Sequence, residues 1–157
     1  MIVWRRLDTP GHEACRILGT TLEGAAVFTE PPGALTYRVV CDESWRTEFA
    51  RVTGFIADRS IDLTIDPRSL GCIDVDLNFS PSTNTLPIRR LGLAIGESAS
   101  LTVAWLRFPE MTLEPLAQTY TRLGERTWQY ASDGFTARME VDEEGLVTEY
   151  EGLWVKE

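Results

Sequence analysis

The chain has almost no lysine or histidine. Lys156 and His12 are the sole examples, beside 14 arginines and 24 acidic residues, for a formal net charge of −9. A duplex-binding surface needs clustered cations to displace phosphate counterions, so nucleic acid is excluded as an expected partner. An anionic membrane surface repels such a chain on average. The preference for Arg over Lys reads as compositional bias and carries no function. Apolar runs are short. None approaches the roughly 18 residues of a transmembrane helix. At the N-terminus, Arg5, Arg6 and Asp8 interrupt the apolar stretch of about 7–15 residues that an export signal requires. The expectation is a cytoplasmic protein without stable membrane insertion.

Metal-ligand and disulfide patterns are missing as well. Cys15, Cys41 and Cys72 are odd in number and widely spaced. They form neither a disulfide framework nor a C-x-x-C pair, and read as small buried hydrophobes. With one histidine, any Ser- or Cys-based triad must use His12. On a strand, His12 and Cys15 are an odd number of residues apart and point to opposite faces. Asp74-Val75-Asp76 resembles the D-x-D element of some metal-nucleotide enzymes. No Gly-rich turn after a parallel strand accompanies it. No cofactor or metal is expected.

What the chain does have is period-2 alternation, the mark of half-buried strands. Ile61, Leu63 and Ile65 alternate with Asp62, Thr64 and Asp66, and Val75, Leu77 and Phe79 with Asp74, Asp76 and Asn78. The pattern repeats from Phe135 to Asp142, and Leu35, Tyr37, Val39 and Cys41 share another face. Turn signals at 30–33, 42–44, 132–134 and 142–145 separate the runs. About a dozen strands are predicted, near 2–7, 13–18, 25–29, 35–41, 45–52, 61–65, 74–79, 100–107, 116–123, 127–131, 135–141 and 146–154. Successive hairpins imply antiparallel pairing, and so many strands in one domain must curl or split. The segment from Ser80 to Gly92 holds two prolines and cannot be a central strand. It reads as a loop entering a short helix, with Asn84 or Thr85 as N-cap, Pro87 in the first turn and Gly92 closing it. A second short helix is expected over 111–118.

Two constellations carry candidate chemistry. Asp74, Asp76 and Asn78 share a face, with Arg89 and Arg90 following on the helix. They read either as an ion-pair network tying helix to sheet or as a polar rim for a sugar or phosphate headgroup. Trp4, Trp45, Trp105, Trp128 and Trp154, with Tyr37, Phe49, Phe79, Tyr120 and Tyr130, read as core or as the lining of a ligand cavity.

The stretch Asp74-Val-Asp-Leu-Asn-Phe-Ser-Pro-Ser-Thr-Asn-Thr-Leu-Pro-Ile-Arg-Arg-Leu91 resembles the signature of the bacterial "Putative glycolipid-binding" family, formerly a domain of unknown function. Further matches run through the chain. They are Trp4-Arg5 with His12-Glu13, Tyr37-x-Val39-x-Cys41-Asp42, Trp45-Arg46-Thr47, Gln118-x-Tyr120-x-Arg122, and Gly145-Leu146-Val147 through Trp154. The resemblance implies a curved antiparallel sheet wrapped around a helix, similar to bacterial lipoprotein carriers.

Together these give a single domain over 1–157, mainly β (α+β), built as one strongly curved sheet or half-barrel around a short helix. The expected function is non-catalytic binding of a glycolipid or other amphipathic lipid. Tyr37, Trp45, Phe49, Trp105 and Tyr120 are expected at the ligand cavity, with Asp74, Asp76, Asn84, Arg89 and Arg90 toward the headgroup. Rival readings are a protein-interaction module using an open sheet edge or aromatic patch, and an enzyme using His12, Glu13 and the 74–78 carboxylates.

Overall fold

A computed structural model describes all 157 residues. Thirteen strands form one sheet: β1 (Ile2–Arg6), β2 (Gly11–Leu18), β3 (Thr21–Thr29), β4 (Pro32–Cys41), β5 (Thr47–Ile56), β6 (Arg59–Ile65), β7 (Val75–Leu77), β8 (Ser98–Arg107), β9 (Thr112–Arg122), β10 (Thr127–Ser132), β11 (Phe135–Val141), β12 (Val147–Tyr150) and β13 (Trp154–Lys156). Their order is β6-β5-β4-β3-β2-β1-β13-β12-β11-β10-β9-β8-β7. Alternation decides the inner face: Leu35, Tyr37, Val39 and Cys41 of β4 are buried and the residues between them mostly exposed. The sheet rolls into a nearly closed barrel, as expected for so many twisted strands. Its edges, β6 and β7, are consecutive in sequence and joined through a 3₁₀ turn at Pro67–Leu70. Arg59 of β6 donates to the Glu110 carbonyl at 3.0 Å, stitching the seam at one end.

Four local expectations need correction. Residues 111–118 are not helical, because Thr112–Arg122 pairs with β8 over ten residue pairs. The strand at 74–79 is only Val75–Leu77, and it runs parallel to β8. A parallel neighbour needs a crossover connection, which the helical segment after β7 provides. The run 146–154 is two strands, since Gly152 at φ +74° turns the chain so that Tyr150 pairs with Trp154. The cap lies earlier than Asn84 or Thr85. Ser80 Oγ accepts the Ser82 N–H at 3.1 Å and starts a 3₁₀ turn, Pro81–Asn84, that runs into α1 (Thr85–Leu91). Gly92, at φ +55°, ends the helix as expected.

The barrel is filled rather than hollow. Every residue from Pro81 to Ile88 is buried, and a continuous cluster of 33 buried apolar residues surrounds this segment. Trp4 is fully buried, and its indole N–H donates to the Val147 carbonyl at 2.6 Å. Phe79 sits edge-on to both Phe28 and Tyr37, each at 6.0 Å between ring centres.

A polar segment in that place must have its hydrogen bonds met internally. Thr83 Oγ1 accepts the Leu77 N–H at 3.2 Å, and Thr85 Oγ1 donates to the Gly145 carbonyl at 3.0 Å. Ser80 Oγ and the Tyr37 hydroxyl both donate to Glu13 Oε1, and Ser82 Oγ lies 2.8 Å from that hydroxyl. Tyr37 reaches Glu13 because its ring lies over Gly24, where any Cβ would collide with it. Glu13 is 1% exposed, and its Oε2 has no partner. Burial pushes its carboxyl up to about 8. Asp74, also 1% exposed, accepts from Arg90 at 2.6 Å and fastens the end of α1 to β7. The ion-pair account of this face therefore holds for Asp74 and Arg90.

Two outcomes follow. Folded Glu13 retains a proton that the unfolded chain, with an ordinary value of 4.5, has already released. Stability therefore falls as pH rises through this window, by roughly 2 kcal/mol between about pH 6 and 8. Glu13→Gln should flatten that part of the profile in urea titrations. An unchanged slope would mean that Glu13 is ionised in the fold. Arg90→Met leaves Asp74 buried without a countercharge and should cost roughly 3–5 kcal/mol. Adding Asp74→Leu to it should restore most of the loss.

Candidate functional site

Because β7 is parallel and lies between the crossover and β8, its two faces meet different surroundings. Val75 and Leu77, with Ala104 and Leu106 beside them in register, are at most 1% exposed and join the packed interior. Asp76 and its register partner Trp105 turn the other way, into a cleft of about 510 Å³ at one end of the barrel. The walls come from distant parts of the chain. β1 supplies Arg6, β10 Tyr130, β12 Tyr150 and β13 Trp154; Asn78, Asn84 and Phe135 complete the rim and floor.

The aromatic wall is continuous. Tyr130 packs against Tyr120, Phe135 and Tyr150 with ring centres 5.5–6.0 Å apart. Arg6 lies 5.6–5.9 Å from the ring centres of Phe28, Phe108 and Trp154, and is gripped through two bonds by Asp8 at 2.6 and 2.8 Å. At the floor, Gln118 donates to Asp76 Oδ2 at 2.6 Å, which leaves Oδ1 free. Burial pushes the Asp76 carboxyl up to about 6, with the Gln118 bond opposing the shift. The Tyr150 hydroxyl makes no hydrogen bond within the protein although the residue is only 6% exposed. The Tyr130 hydroxyl adjoins Ser132 and Gln118. Tyr120 stands behind the cleft and donates to Asn84 Oδ1 at 2.8 Å, while Asn84 Nδ2 donates to the Pro81 carbonyl. The buried plug thus fixes one side of the cleft. Carboxylate, amide and phenol groups set among aromatic faces form a surface suited to a polar headgroup with an apolar side.

The ten expected ligand residues do not share one cavity. Asp76, Asn84 and Trp105 line the cleft, and Tyr120 supports it. Asp74 and Arg90 pair with each other, and Tyr37 is sealed in the Glu13 network. Phe49 is 40% exposed on the outer face of β5. Trp45 and Arg89 stack at 4.3 Å in a separate, more open groove of about 670 Å³. There Arg89 donates to the Glu144 carbonyl, and Arg126 pairs with Glu143 at 2.6 Å. The oily hollow expected between Tyr37, Trp45, Phe49 and Trp105 is occupied by the 80–91 segment and the core.

Sequence reasoning offered Tyr130 and Trp154 as core or cavity lining without placing them here, and missed Phe135, Tyr150 and Arg6 as cleft residues. A signal for part of the wall was present. Tyr120 and Tyr130 face each other across β9 and β10, and the two-residue turn after Ser132 sets Phe135 beside them. Strand order, which carries β12 and β13 to the same end, had no local signal. His12 lies on the outer face of β2 with 58% of its side chain exposed, 3.8 Å from Glu157, while Glu13 points inward. A catalytic pairing of His12 with the 74–78 carboxylates loses its geometry. No helix is long and apolar enough to cross a membrane.

Comparison with known proteins fits this architecture. The crystal structure of a DUF1089 family protein from Pseudomonas aeruginosa superposes with a TM-score of 0.84 at 30% sequence identity, covering 91% of this chain and 90% of that one. No curated protein matches. The family profile described as "Putative glycolipid-binding" matches residues 1–156. The chain belongs to that family.

Proposed function

We propose that the protein binds the polar headgroup of a glycolipid or similar amphipathic molecule in the cleft at Asp76 and Trp105, without chemical conversion. The observation that carries this reading is the half-buried Asp76 carboxyl, with one oxygen free, set in an aromatic wall of Tyr130, Phe135, Tyr150 and Trp154. Carboxylates and amides take sugar hydroxyls, and aromatic faces take the apolar face of a ring. A volume of about 510 Å³ is within the range of small-ligand sites. The family description points to the same ligand class.

The packed interior sets how a tail is accommodated. An acyl chain is not enclosed by the sheet, since the 80–91 segment takes that room. The tail instead leaves through the mouth, past Leu116, Phe135 and Leu153. In this reading the protein grips a headgroup and leaves the tail in a micelle, a bilayer or a partner. It differs in that respect from a carrier that swallows the chain.

Titration with n-octyl β-glucoside below its micellar concentration, followed by tryptophan fluorescence and calorimetry, tests the reading. Saturable binding is expected. Trp105→Ala should weaken it roughly tenfold, the scale of one lost aromatic contact of about 1.4 kcal/mol. Absence of saturable binding to any sugar-headed or acyl amphiphile would sink the proposal, as would equal affinity in wild type and Trp105→Ala.

A further inference from the structure

Resting on that binding reading, the geometry points to a cationic, amine-bearing headgroup as the preferred occupant of the cleft, with Asp76 as its counterion. The charges around the cleft can be tallied group by group. Arg6 pairs with Asp8 through Nε and Nη2, and its buried Nη1 has no partner. Arg107 lies over Trp105 at 5.8 Å and 3.6 Å from Glu110. Asp74 belongs to Arg90. Asp76 and Asp133 remain, both lining the cleft and neither in an ion pair. Asp133 is exposed at the mouth, where water solvates it. Asp76 is the inner one, and its polar partner within the protein is the neutral Gln118 amide.

A carboxylate withdrawn from water without a countercharge is costly, and an incoming cation removes that cost. The groups beside it suit an ammonium. Its N–H donors match the free Asp76 Oδ1 and the phenolic oxygens of Tyr130 and Tyr150. The ring faces of the wall add cation–π attraction, which Arg6 already exploits on Trp154. An anionic headgroup would meet the two unpaired carboxylates and is disfavoured.

Protonation of Asp76 should compete with such a ligand. Tyr120, Tyr130 and Tyr150 face it from β9, β10 and β12. Burial holds all three hydroxyls above their ordinary range, so they keep their protons. Glu13, behind Ser80, also stays protonated below about 8. Arg6, Asp8, Arg107 and Asp133 complete the charged groups at the rim, and Asp74 with Arg90 lies on the helix side. Asp76 is therefore the group at the floor that changes charge between weakly acidic and neutral pH.

The test compares n-octylammonium with n-octanol, which share a tail and differ in the head, alongside n-octyl β-glucoside. At neutral pH the ammonium should bind at least about tenfold more tightly than the alcohol. Asp76→Asn should abolish that preference, whereas Asp58→Asn, at an exposed turn, should leave it intact. In wild type the preference should fall roughly tenfold from about pH 7.5 to about pH 5, and this decides the matter should Asp76→Asn fail to fold. Equal affinity for ammonium and alcohol while the glucoside binds overturns the amine inference alone. So does a preference that survives in Asp76→Asn or shows no pH dependence. Failure of all three probes to bind overturns this inference together with the headgroup reading.

Discussion

A polar segment lies where a β barrel ordinarily keeps only hydrocarbon, and the rest of the molecule is arranged to satisfy it. Ser80, Ser82, Thr83, Asn84 and Thr85 are all at most 8% exposed. Each such group left without a partner would cost about 1–3 kcal/mol, a large fraction of an ordinary domain's stability. The sheet answers from several directions. Glu13 and Tyr37 come from β2 and β4, the Leu77 amide from β7, the Gly145 carbonyl from a hairpin turn and Tyr120 from β9. These contacts fix how far the sheet rolls, because strands far apart in sequence must converge on one short stretch.

The cleft is a consequence of the same crossover. The segment leaves β7 and returns to β8 as a parallel neighbour. This places a three-residue strand with Asp76 facing away from the packed core. Asn84, at the end of the 3₁₀ turn, is then close enough to Tyr120 to define the inner wall. Fold and site therefore share one element. The Asp74–Arg90 pair, which fastens α1 to β7, holds the strand that carries Asp76. A defect in the plug should be felt at the cleft even where no cleft residue is altered.

Much of the sheet was legible because alternation and turn chemistry are local signals. The Asp142 turn is an example: its carboxylate accepts the N–H groups of Glu144 and Leu146, and Gly145 supplies φ +79°. The helix at 85–91 was legible from its proline and its closing glycine. The depth of that helix was not, because burial of Ser80–Thr85 depends on partners up to 67 residues away, such as Glu13. Residues 111–118 misled for a similar reason. A weak local preference gave way to ten residue pairs with β8. Of the expected ligand residues, Asp76, Asn84 and Trp105 come together at one cleft, whereas Trp45 lies in a separate groove and Phe49 on the outer face. Composition identifies aromatics suited to a ligand; only strand order tells which of them meet.

Glu13, buried, and Asp76, half-buried, show how two carboxyls in one barrel come to differ. Glu13 is sealed among Tyr37, Ser80 and Ser82, and burial raises it to about 8 against the opposing hydrogen bonds from Ser80 and Tyr37, so at neutral pH it is a neutral acid. Asp76 rises only to about 6 and is ionised at neutral pH. A purely structural position would favour an asparagine or an apolar residue there, since holding the ionised form in the fold costs roughly 3 kcal/mol at pH 7. The charge sits in the cleft, with one oxygen open to it and no ion pair within the chain. Stability is given up at the position where an incoming ligand could restore it, which is the pattern expected of a binding site rather than of a core defect.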